Sequence, residues 1–105
     1  MTSAAVKMSD AEIKRQAAGS VRDLRDTDNR GLYLRFNKDR ARPSWYLVTK
    51  GAWNLIGQYP DLNTKQVVAA LPAIRLRLEA GEGSSLSKWA TVGELLAWYA
   101  ERMAR

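Results

Sequence analysis

The chain has 105 residues, enough for one small domain, and its 46% apolar and 27% charged content argues against wholesale disorder. Against 11 Asp and Glu stand 17 Lys and Arg, with no His, a formal charge of +6 that favours a polyanionic partner. The absence of Cys excludes disulfides and thiolate sites for metal or redox chemistry, and a hydrolytic metal site would rest on carboxylates alone.

No apolar run approaches the length of a membrane span, and M-T-S-A-A-V-K-M lacks a hydrophobic signal core, so a cytoplasmic chain with no membrane partner is expected. Residues 1 to 7 read as a loose leader. Ser9 then caps a short helix, with Glu12 at the spacing of a capping box and Asp10 where the helix dipole favours negative charge. Met8 and Ile13 stand at hydrophobic-staple positions, and Gly19 and Ser20 stop the helix. Val21 and Leu24 are the anchors of a short edge strand, if one forms. D-T-D-N-R makes a turn, since it lacks the central Gly and closing Glu of a calcium loop.

Gly31 to Gly57 carries three runs rich in aromatic and branched residues, each bounded by Gly, Pro, Asn or Asp, the pattern of three antiparallel strands. In the first, Leu32, Leu34 and Phe36 share one face and Tyr33 and Arg35 the other. Lys38, Arg40 and Arg42 follow at every second position in a loop that ends at Pro43. In the second run Trp45 and Leu47 oppose Tyr46 and Val48; after a T-K-G turn holding Lys50, Trp53 and Leu55 alternate with Asn54 and Ile56. Both faces thus carry large apolar side chains, so a helix, a partner or DNA must cover part of the second.

Asn63 and Gln66 form a second capping box, and Val67, Leu71, Ile74 and Leu78 make one apolar stripe on a helix from about Thr64 to Ala80, with Gly81 after it. Pro72 predicts a kink or short break near Ala70 and Leu71, and Arg75 and Arg77 fall off the stripe as solvated or phosphate-facing groups. Residues 83–90 are rich in Gly and Ser and read as a linker. Thr91 and Glu94 open a final helix, residues 91–105, which either folds back on the open sheet face or begins a further, truncated domain. The expected architecture is α+β: a small antiparallel sheet of three strands, or four with the edge strand, packed against a C-terminal helix, with a short N-terminal helix.

No catalytic set is apparent: the Ser residues sit at caps, turns and the linker, the carboxylates border turns and helix starts, and no Gly-rich phosphate loop follows a strand. The chain is therefore read as a binding module and not an enzyme, with no cofactor.

Met8 to Arg15 (M-S-D-A-E-I-K-R), Asp26 before G-L-Y-L-R-F, Trp45, and L-I-G-Q-Y-P-D-L-N leading to a helix that ends in L-E-A-G resemble, over residues 8–82, the N-terminal arm-binding domain of phage integrases of the tyrosine recombinase family. T-V-G-E-L-L-A-W-Y-A-E-R is similar to the opening helix of the core-binding domain that follows there. The hairpin turn T-K-G is shorter and less basic than the family's, and Asn54 replaces a usual core Leu. The resemblance implies binding of arm-type duplex sites in site-specific recombination by a phage or genomic-island integrase, with strand cutting in a separate domain and other integrase subunits as further partners. It implies a sheet laid in the major groove. Arg35 would then read guanine, Tyr33 and Tyr46 would reach phosphate or sugar or else pack across strands, and Lys38, Arg40, Arg42 and Lys50 would meet phosphates. Trp45 belongs to the core, Trp53 lies either on the DNA face or under the last helix, and Asn54 points inward. The alternative is a protein-interaction module for subunit assembly, motivated by Trp53, Leu55 and Trp98.

Overall fold

The computed structural model describes residues 3–81 and 92–103. The elements in order are β1 (Ser3–Val6), α1 (Asp10–Ala17), β2 (Asp23–Asp26), β3 (Leu32–Arg35), β4 (Ser44–Thr49), β5 (Ala52–Gln58), α2 (Thr64–Glu79) and α3 (Val92–Met103). All five strands form one sheet in sequence order, with β1 parallel to β2 and every other pair antiparallel. The expected antiparallel sheet of three or four strands is thus corrected to a five-stranded mixed sheet with three helices, still a small α+β fold. The linker expected at 83–90, and the cap expected at Thr91, lie outside the described residues.

The difference lies at the N-terminus. S-A-A-V carries little β-propensity and no long side chain, so its strand character is weak in isolation. It pairs because α1 carries the chain over to β2, the crossover that parallel neighbours require. The leader is therefore a strand, and β2 is interior, its Leu24 fully buried. Ser9 Oγ accepts from Glu12 N at 3.1 Å, but the Glu12 carboxylate turns to Arg15 and Gln16 instead of closing the box. Asp10 reaches further. Its Oδ1 accepts from the backbone N and the hydroxyl of Thr64, at 3.0 and 2.8 Å, joining the first turns of α1 and α2.

Leu32, Leu34, Trp45 and Leu47 face α2 and are fully buried with Leu24, Ile56, Val67 and Ile74. Each such aliphatic side chain contributes about 1.5–3 kcal/mol on leaving water. Trp45 also donates from Nε1 to the Leu62 carbonyl at 2.8 Å, so its one polar atom is satisfied inside the core. Both arms of the Asn63–Gln66 box are made, at 2.9 Å each. The helix runs through Pro72 unbroken, so of the kink or short break expected near Ala70 and Leu71 the break is absent. Pro72 faces solvent, while Val67, Leu71 and Ile74 pack on either side of it and offset a cost of about 3 kcal/mol. Arg77 is corrected too: it is 3% exposed, not solvated. α3 packs against α2, with Leu95 buried in the same core. Among the described residues no helix is long and apolar enough to cross a membrane.

Gly31 adopts φ +84°, and a Cβ there would lie 2.7 Å from the Val48 carbonyl oxygen. Gly31→Ala is expected to destabilise the fold by about 2–4 kcal/mol, from left-handed strain plus the clash, measured by urea denaturation. A second expectation concerns Tyr59, whose phenol is pushed above its ordinary value by burial and then by the Asp10 charge. The folded chain holds that proton longer than the unfolded one. Stability is therefore full below about pH 10 and falls as pH rises through the raised folded value. Denaturation midpoints against alkaline pH should decline less in Tyr59→Phe.

Candidate nucleic-acid interface

With Leu32, Leu34, Trp45 and Leu47 turned to α2, strand alternation sends Tyr33, Arg35, Tyr46 and Val48 to the opposite face. β5 completes that face in register, Trp53 opposite Val48 and Leu55 opposite Tyr46. A bulge then leaves Ile56 as the extra residue before Gly57 pairs with Trp45, which returns Ile56 to the core. Lys50 and Gly51 join the two strands, with φ of 50° and 80°, the positive pair of a two-residue type I′ hairpin.

Trp53 is the centre of the outer face. Its ring lies 4.9 Å from Tyr33 in a tilted contact and 5.5 Å from Tyr46 edge-on, reaching across β4 to β3. The Arg35 guanidinium carbon sits 4.1 Å from the Trp53 centroid and 5.8 Å from that of Tyr46. Arg35 also donates from Nε to Asp23 Oδ1 at 2.9 Å, across the β2–β3 pair. Aromatic pairs of this kind add about 0.5–1.5 kcal/mol each, and an exposed cation–π contact about 0.5–1 kcal/mol, so the cluster orders itself without a ligand. Trp53 nevertheless remains 39% exposed and Leu55 47%.

The structure thus brings Tyr33, Arg35 and Tyr46 together and disperses the remaining basic residues. Lys38 is exposed on the loop after β3, and Lys50 is exposed at the hairpin tip. Arg42 is exposed but pairs with Asp61 at 2.9 Å, a solvent-screened bond of small net worth. Arg40 is turned into the fold: Nε and Nη2 donate to the carbonyls of Ala17 and Gln16, at 3.0 and 2.9 Å, and its Cζ lies 4.3 Å from the Phe36 centroid. It closes the C-terminal end of α1. Asn54 faces inward, its Nδ2 within 3.2 Å of the Leu47 and Ala52 carbonyls and the Thr49 hydroxyl.

Asp23 and the exposed Arg25, both on the outer side of β2, belong to this face and were missed from the sequence. The alternation around Leu24 in R-D-L-R-D is their signal in the sequence, since it places Asp23 and Arg25 on one side of an interior strand. A cleft of about 460 Å³ lies behind the hairpin between Lys50, Asn54, Arg75, Leu78 and Glu79, and it mixes both signs of charge. Among the described residues no group of three His, Cys, Asp or Glu is placed to hold a metal. No family model, curated protein or solved structure matches the chain, so the face itself carries the functional reading.

Two substitutions separate the basic residues by task. Arg40→Ala should cost about 1–3 kcal/mol of stability through two lost hydrogen bonds and a lost ring contact, while Lys38→Ala should stay within about 0.5 kcal/mol. Thermal and urea denaturation of the two variants checks this.

Proposed function

We propose that the outer face of β3, β4 and β5 binds duplex DNA in the major groove, as the arm-site module of a phage or genomic-island integrase in site-specific recombination. One observation carries the reading: Arg35 and the three aromatic residues Tyr33, Tyr46 and Trp53 stand clustered and partly exposed on a single sheet face. The three strands span about 10 Å, comparable with a major groove about 12 Å wide. Lys38 and Lys50 extend beyond β3 and the β4–β5 hairpin, where backbone phosphates would flank a sheet lying in the groove. The formal charge of +6 favours the encounter. The motif resemblance along residues 8–82 supplies the integrase setting. In this reading the chain contributes binding, and strand exchange belongs to a separate domain.

A second reading, contact with another integrase subunit through the same face, draws on the exposure of Leu55 and Trp53 beside the sheet edge. Light scattering over a concentration series separates self-association from a monomer that binds DNA.

Fluorescence anisotropy with labelled duplexes tests the DNA reading. Affinity should fall steeply with salt, and Lys38→Ala and Lys50→Ala should each reduce the slope by about 1. Trp53→Ala should weaken binding by about five-fold or more, since it removes the support under Arg35. No duplex binding at about 50 mM salt, or a flat salt dependence, would refute it.

A further inference from the structure

Resting on the DNA reading above, we infer that Arg35 is the guanine-reading side chain of this face and that Asp23 and Trp53 are the residues that aim it. A guanidinium offers two edges for paired acceptors, one made by Nε and a terminal nitrogen, the other by Nη1 and Nη2. Asp23 occupies Nε at 2.9 Å, and the Trp53 ring lies against the plane at 4.1 Å from Cζ. Two of the freedoms of a long side chain, its reach and its tilt, are therefore restrained before any ligand arrives. Among the described residues Nη1 and Nη2 of Arg35 make no hydrogen bond, and the side chain keeps 29% of its surface in solvent. What hydrogen bonding leaves uncommitted is the end-on fork, whose geometry matches the O6 and N7 acceptors that guanine shows in the major groove.

Asp23 has a second effect. Its carboxylate stands on the outer face, 2.9 Å from Arg35 and 3.9 Å from Arg22 Nε, where it offsets positive charge and disfavours a plain phosphate contact. A face built only for phosphate would gain from losing that carboxylate. A face built to read a base uses it, because tethering Nε prevents the arginine from swinging to the backbone. Asp23 is thus a positioning residue: it trades non-specific affinity for discrimination, and the two should move in opposite directions when it is neutralised.

The test selects duplexes from a pool randomised over about one helical turn, then measures affinity for the selected duplex with each guanine replaced in turn by 7-deazaguanine, which lacks the N7 acceptor. Wild-type protein should lose about ten-fold at one guanine. Arg35→Lys keeps the charge but not the fork, and should lose that penalty to within about two-fold. Asp23→Asn, nearly isosteric, should bind a random duplex more tightly while its 7-deazaguanine penalty shrinks by about three-fold or more. Circular dichroism confirms that each variant is folded. If wild type selects and binds a duplex but no 7-deazaguanine position costs more than about two-fold, or Arg35→Lys keeps the full penalty, the guanine assignment is wrong. If Asp23→Asn leaves both affinities unchanged, or lowers both together, Asp23 does not aim Arg35. If wild type binds no duplex at all, the DNA reading itself fails, and this inference with it.

Discussion

Leu32, Leu34, Trp45 and Leu47 bury one face of the central strands under α2, and strand alternation makes that burial decide what the other face must display. Tyr33, Arg35 and Tyr46 cannot move to the other face without first turning leucines and a tryptophan out of the core. A slip of one residue would exchange the two sets entirely. The bulge in β5 extends the same logic. It allows Trp53 and Leu55 to face outward while Ile56 and Gly57 both turn toward the core, where a Cβ on Gly57 would lie 2.6 Å from Leu62 Cδ1.

Formal charge and the charge offered to a ligand differ in this fold. Arg40 holds the end of α1, Arg42 pairs with Asp61, and Arg75 donates to the Arg30 carbonyl. The outer face presents a small number of cations around an aromatic centre, not a uniform basic field. Such a surface is suited to orienting one planar donor group with care, while the long-range attraction comes from the molecule as a whole.

The amphipathic runs were legible because local pattern and burial agree. Leu32 to Phe36, Trp45 and Leu47, and the stripe on α2 point where period-two and period-3.6 reading put them. The N-terminal strand was not legible, because S-A-A-V has almost no pattern of its own and pairs only once α1 has returned the chain to β2. The continuity of α2 through Pro72 goes with the burial of Val67, Leu71 and Ile74 in the core, which a propensity argument cannot weigh. In the candidate site, the two-faced placement of Tyr33, Arg35 and Tyr46 followed from alternation alone. The meeting of Trp53 with Arg35 and the reach of Arg40 to α1 did not, since each joins elements whose separation only the fold establishes.

The bond from Asp10 to Thr64 closes a span of 54 positions. Beside it, the β3–β4 and β4–β5 pairings are local, with short connections and little loop entropy to overcome. Loop closure costs differ accordingly. The strands of the aromatic face are joined by short connections, whereas α1 is held by bonds distant in sequence, from Thr64 to Asp10 and from Arg40 to the carbonyls of Gln16 and Ala17. The sheet face that bears the candidate site is in this sense built from nearer neighbours in the chain than the bond that ties α1 to α2.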